Sequence, residues 1–324
     1  MNPPEVLARV TTQMAAVLDK QAELADGAFA TDVGFEEMRR RYALERSFWN
    51  DGGPTMAETV DGVVPGPYGD IRIRYHRPGE GGVRPCIVYV HGGGFVVGDL
   101  DTHSRIMRTL AARTGAVVVG VDYALSPEAR FPRAVHECAA VARHLAAHAD
   151  ALGIDAANLS FAGDSGGANL SLAATLYLRD EVSDAPTIRC LLLYYGMYGL
   201  ADSASRRLFG GEWDGLTKAD LDYYMDCYTN DARDLASPYL DCLAADLSHG
   251  VPPCYVAASA LDPLRDDSLA LAEVLAGAGV PHRVRVFDGV LHGFLHHSRM
   301  LPEASEALEE GAEFHRHAIA LTTR

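Results

Sequence analysis

The chain has 324 residues, 48% of them hydrophobic, and carries a formal charge of −16. That is room for one large α/β domain with an accessory piece, or for two ordinary domains. So acidic a surface argues against nucleic acid or an anionic membrane as partner.

No apolar run reaches the length of a membrane span, and the first residues show no basic leader followed by an apolar core. Lysine occurs only at Lys20 and Lys218. Six cysteines (Cys86, Cys138, Cys190, Cys227, Cys242, Cys254) are scattered singly, several inside apolar runs. They have neither metal-ligand spacing nor the density of a disulfide scaffold, so buried free thiols in a cytoplasmic protein are expected.

The first fifty residues read as helices. Leu7, Val10, Met14, Val17 and Leu18 fall at helical spacing, and Phe35, Met38 and Tyr42 begin a second face. Arg39-Arg40-Arg41 within it reads as a solvated helix face. From Asp51 the texture changes, with Gly53-Pro54 and Pro65-Gly66-Pro67 bracketing short strands. Ile71, Ile73 and Tyr75 alternate with Arg72, Arg74 and His76, which predicts a strand with those latter three on a wet face. The apolar runs Cys86 to Val90 and Ala116 to Val121 predict strands covered on both sides. Helical stretches over 104–112 and 132–147 separate them, the alternation of a parallel α/β sheet.

A further buried strand runs through Asn158 to Ala162 into Gly163-Asp164-Ser165-Gly166-Gly167, and a helical pattern follows. This is Gly-x-Ser-x-Gly in the strand–turn–helix setting that gives the motif its meaning. Such a turn strains the serine backbone and needs glycines where strand and helix pass closely. The Ser165 hydroxyl then projects at the carboxyl edge of the sheet, and the Gly166 amide faces outward from a helix N-terminus.

Strand Cys190 to Tyr195 follows. The segment 196–235 then departs from the alternation, with a capped helix start at Thr217 and Asp220 and an apolar face through Leu221, Tyr224, Met225 and Tyr228. Alternation resumes with strand Cys254 to Ala258, a helix through Leu275, strand Val284 to Phe287 and a last helix over 302–321. The expected fold is α/β: a mostly parallel central sheet flanked by helices, with a helical cap. Residues 51–195 and 236–324 would form the catalytic domain. Residues 1–50 and the insertion 196–235 would together form the cap over its carboxyl edge.

His91-Gly92-Gly93-Gly94-Phe95 directly follows a strand. Three consecutive glycines cost backbone entropy, so a ligand facing their amides is expected. Amides of Gly92 and Gly93, joined by Gly166, would surround an oxyanion, with His91 shaping the loop. A serine needs a base, and the base needs an orienting acid; in this topology the chain order is serine, acid, histidine. Asp262 and His292 each stand just past a strand, on the edge where Ser165 emerges. Asp266 and Asp267 are expected to cap a helix, and His296 and His297 to be surface residues. His292 and His296 lack the glutamate of His-Glu-x-x-His, and no metal is expected. The ordered connection Asp122 to Pro132 is expected to brace the glycine-rich loop from behind, with Glu128 and Arg130 able to pair.

His91-Gly92-Gly93-Gly94, Asp122 to Pro132, Gly163 to Gly167, Asp262-Pro263-Leu264 and His292-Gly293-Phe294 together resemble the hormone-sensitive-lipase-like (family IV) esterases of bacteria. Gly98 to His103 and Trp213 to Thr217 bring the resemblance closest to the acetyl-esterase branch of that family. The resemblance implies an α/β-hydrolase fold with a helical cap and cofactor-free hydrolysis of short-acyl, chiefly acetyl, esters in the cytoplasm. It implies the triad Ser165, Asp262 and His292, with the His91-Gly92-Gly93 stretch at the oxyanion hole. One departure is Gly166-Gly167 where alanine–glycine is the more usual pair, which predicts a looser turn. A deacetylase of acetylated sugars or xenobiotics, and a non-catalytic small-molecule sensor on the same fold, are the alternatives. The reading allows a homodimer.

Overall fold

A computed structural model describes residues 3–24, 27–211 and 213–321. Eight strands form one sheet: β1 (Glu58–Gly66), β2 (Gly69–Arg77), β3 (Arg84–Val90), β4 (Val117–Asp122), β5 (Ile154–Asp164), β6 (Ile188–Tyr194), β7 (Cys254–Ser259) and β8 (His282–Phe287). Their spatial order is β1-β2-β4-β3-β5-β6-β7-β8. β2 runs antiparallel to both of its neighbours, and every pairing from β4 to β8 is parallel.

The apolar runs fill both faces because a strand alternates its side chains. In β3, Cys86, Val88 and Val90 join one core, and Ile87 and Tyr89 join the other. Helices Arg133–Ala147 and Gly166–Glu181 cover the first core. Helices Ser104–Thr114 and Pro302–Ala320 cover the second. All six cysteines are buried free thiols, as their apolar settings predict.

β2 keeps its alternation for Ile71 and Ile73, but His76 is fully buried rather than wet. Its Nδ1 lies 3.1 Å from Thr59 Oγ1, and burial pushes its pKa down to about 4. The register with β1 and β4 encloses that position, which the strand's own pattern does not reveal.

Helices Phe35–Asn50 and Lys218–Tyr228 pack together against the loop that follows β3. Thr31 Oγ1 donates to Asp220 Oδ1 at 3.1 Å, and Phe35 stacks on Tyr223. Met38, Tyr42 and Cys227 form a small core with Val96 and Val97 of the loop after β3. Thr217 and Asp220 make the expected reciprocal cap.

Asp266 and Asp267 do other work than capping. Asp267 Oδ1 accepts the N–H groups of Tyr198, Gly199 and Leu200, and its Oδ2 meets Arg206 at 3.1 Å. Asp266 Oδ2 accepts the Ser205 N–H. The pair anchors the chain where it leaves β6, a long-range task that a local capping rule does not reveal.

Candidate active site

β5 ends at Asp164, and Ser165 turns the chain into a helix with φ 53° and ψ −123°. A non-glycine residue in such a conformation costs about 1–3 kcal/mol and persists only where its surroundings enforce it. Here the Ser165 N–H donates to Tyr194 O at 2.9 Å. A Cβ on Gly167 would lie 2.1 Å from Val90 O, and one on Gly163 would lie 2.3 Å from Gly167 O. The turn is therefore tight, not loosened by the glycine pair.

His292 follows β8 and Asp262 follows β7, so both reach the sheet edge from which Ser165 projects. His292 Nε2 lies 2.9 Å from Ser165 Oγ, and His292 Nδ1 lies 2.8 Å from Asp262 Oδ2. Asp262 is fully buried, and its Oδ1 accepts the Leu264 N–H at 2.7 Å. Burial alone would lower the His292 pKa, but the facing Asp262 carboxylate outweighs it and holds the imidazole above its ordinary value. The Tyr195 ring packs edge-on against the imidazole at 4.9 Å.

The glycine-rich loop lies opposite. The Gly92 N–H is not turned to the site: it donates to Asp164 Oδ1 at 3.0 Å. Gly93 and Gly94 instead line the hollow that contains Ser165 and His292, and Gly94 and Gly166 line the adjoining one. The Gly92 amide, expected to face an oxyanion, is thus spent in holding the loop, and it is Gly94 that lines both hollows. Position within a run of glycines gives no hint of which amide a buried carboxylate will take. The Gly166 N–H opens its helix and so has no intrahelical acceptor.

His91 is buried; its Nδ1–H donates to Gly92 O at 2.8 Å and its ring stacks on Tyr123 at 4.3 Å. Burial pushes its pKa down to about 4, so it is a neutral shaper of the loop. Tyr123 Oη donates to His91 O and the Ser126 N–H donates to Phe95 O, so the segment after β4 does brace the loop. Glu128 and Arg130 do not pair. Glu128 binds Arg39, and Arg130 reaches the carbonyls of Asp226 and Thr229. Arg39 also donates to Val96 O and Ser126 O, both at 2.9 Å, whereas Arg40 and Arg41 rest on Glu37.

Three buried groups next to the site escape sequence reasoning. Asp164 accepts from Tyr89 Oη at 2.7 Å as well as from Gly92, and lies 3.5 Å from His103 Nε2. Burial would raise its pKa, but these partners bring it down to about 2. His296 and His297 are buried rather than exposed, and burial drives both pKa values well down. In their helical turn His296 meets the His103 ring and His297 the Trp49 ring.

The known proteins agree with this architecture. A family model described as alpha/beta hydrolase fold matches residues 87–296. An acetyl esterase of Salmonella paratyphi B is 45% identical over 313 residues, covering 97% of this chain and 96% of that protein. Among solved structures, a hyperthermophilic esterase from the archaeon Pyrobaculum calidifontis superposes with a TM-score of 0.87 at 31% identity, covering 95% of this chain and 98% of that one. An ester hydrolase from the metagenome of Lake Arreo gives 0.88 at 30% identity, covering 96% and 99%. The chain belongs to the alpha/beta hydrolase family. Within it, the protein is a carboxylic ester hydrolase. Among the described residues, no helix is long and apolar enough to cross a membrane.

Proposed function

We propose that the protein hydrolyses short-acyl esters, acetyl esters above all, through an acyl-Ser165 intermediate. The observation that carries this is the continuous chain from Ser165 Oγ through His292 to Asp262, at 2.9 and 2.8 Å. His292 Nε2 takes the Ser165 proton as Oγ bonds to the ester carbonyl carbon. The resulting oxyanion is received by the amides of Gly93, Gly94 and Gly166, each such donor being worth about 10²–10³ in rate. Collapse breaks the ester C–O bond, and the imidazolium gives its proton to the departing alcohol. Water then attacks the acyl-serine with His292 again as base, releasing the acid and restoring Ser165. Asp262 fixes the imidazole tautomer and stabilises the imidazolium.

Two features support a small acyl group. The relatives at 44–45% identity are acetyl esterases. The hollow beyond Gly166 is only about 30 Å³ and is lined by Phe95, Met197, Leu221, Met225 and Leu264. In this reading residues 1–50 and 196–235 form the cap, and the second segment supplies Met197, Leu221 and Met225 to that hollow. The reading also places the enzyme in the cytoplasm, supported by six free thiols, and allows a homodimer, to be decided by sedimentation. A fluorophosphonate should label the wild type and fail on Ser165→Ala, which should also lose p-nitrophenyl acetate turnover. Undiminished turnover in that variant would refute the assignment.

A further inference from the structure

The cap contributes a polar corner that the triad does not use. A hollow of about 30 Å³ beside His292 is lined by Arg46, Trp213, Asp214 and His297. Three of these lining residues each carry a buried polar atom with no hydrogen-bond partner among the described residues: Trp213 Nε1, Asp214 Oδ2 and Arg46 Nε. A buried polar atom left unmatched costs about 1–3 kcal/mol, so three lining one hollow call for an occupant. The carboxylate is held from one side: Asp214 Oδ1 accepts the N–H groups of Gly211 and Leu216, leaving Oδ2 free for a ligand.

We propose that this corner binds a hydroxyl on the alcohol side of the ester, and that the substrates are short-acyl esters of hydroxylated alcohols. This rests on the reading of Ser165 and His292 given above. A hydroxyl both donates and accepts, and it meets here an acceptor on Asp214 and donors on Trp213 and Arg46. An ammonium group would meet the Arg46 guanidinium, and an alkyl group would strand all three atoms.

The surroundings agree. Burial pushes the Asp214 carboxyl up to about 7, so it is no permanent anion demanding a cation. Asp214 also lines the hollow that contains Ser165, which places the corner next to the scissile bond. Beyond it, Gln21, Phe29 and Trp213 also line an adjoining groove of about 550 Å³, where Thr31, Asp32 and Asp220 add polar groups. That is room for a polyhydroxylated leaving group to lie against two aromatic rings.

The test compares ethylene glycol monoacetate with propyl acetate, esters that differ by one hydroxyl in place of one methyl. The wild type should favour the glycol ester in kcat/KM by at least about tenfold. That ratio should fall by at least about tenfold in Asp214→Asn, which puts an amide N–H where Oδ2 stood, and in Trp213→Phe, which keeps the ring and removes the donor. A wild-type ratio within twofold of unity would overturn the proposal, even if neither variant folds. So would an unchanged ratio in both variants alongside lower melting temperatures, the mark of a structural water only. Fluorophosphonate labelling of Ser165 in the same samples separates the two readings: no labelling of the wild type would count against the esterase mechanism itself.

Discussion

The Asp164 carboxylate ties the nucleophile turn to the glycine-rich loop, because its Oδ1 accepts the Gly92 N–H at 3.0 Å. The residue just before Ser165 thus sets the position of the loop that carries Gly93 and Gly94. Tyr89 Oη reinforces the same oxygen at 2.7 Å. The Ser165 turn and the glycine-rich loop come from different parts of the chain, and this carboxylate links them directly.

Asp164→Asn should therefore be costly to stability as well as to turnover. A carboxyl held at about 2, against an ordinary 3.8, contributes about 2 kcal/mol at neutral pH. The sign follows from the depressed pKa. The contribution is complete above pH 4 or so and is lost as acidification carries the folded protein through about pH 2. Urea denaturation at pH 7 should show the variant about 2–4 kcal/mol less stable, since its amide N–H would face the Gly92 N–H. Equal stability of variant and wild type at that pH would rule out this role.

The pH–rate profile tests the histidine. Only neutral imidazole can take the Ser165 proton, and Asp262 holds the His292 pKa above 6.5. The acid limb of kcat/KM should accordingly lie above pH 6.5, with the rate falling as His292 protonates. Asp262→Asn removes the largest raising interaction and leaves burial opposed only by the more distant Asp214 and Asp164. Its limb should move to lower pH while kcat drops by about 10⁴. An acid limb that stays in place would show that another group titrates.

The fold and the convergence of Ser165, His292 and Asp262 were legible in the sequence for definite reasons. Apolar runs such as Cys86 to Val90 have little choice but a doubly covered strand. A serine elbow followed by Asp262 and His292, each just past a strand, converges wherever the strands are parallel. What escaped involves partners distant along the chain. Gly92 looked equivalent to Gly93 and Gly94 until Asp164 claimed its amide. Asp266 and Asp267 looked like caps, yet they hold residues 198–205. His76, His296 and His297 looked wet because histidine is polar, and tertiary enclosure buried them.

The two glycines after Ser165 should behave differently. A Cβ at Gly167 would press on backbone, 2.1 Å from Val90 O and 2.5 Å from His91 O. Neither carbonyl can move without shifting β3, so Gly167→Ala should cost about 3 kcal/mol or more. At Gly166 the nearest atoms belong to the Phe95 ring, at 3.2 Å, and a small tilt of the ring relieves the contact. Gly166→Ala should stay within about 1 kcal/mol of wild type, helped by the better helix propensity of alanine. Thermal denaturation of the two variants side by side checks the ordering, and a reversed order would refute it.

The acyl preference should be set by the cap. The hollow of about 30 Å³ beyond Gly166 is closed on the cap side by Leu221 and Met225 of helix Lys218–Tyr228. Each methylene that does not fit costs about 1–3 kcal/mol of discrimination. kcat/KM for p-nitrophenyl esters should fall steeply from acetate to octanoate. Met225 lies on the cap helix rather than on the sheet, so truncating it opens the hollow without disturbing the triad. Met225→Ala should raise the octanoate-to-acetate ratio by about tenfold or more, the worth of one or two accommodated methylenes. A flat profile in the wild type, or the same slope in Met225→Ala, would show that the acyl chain leaves by another route.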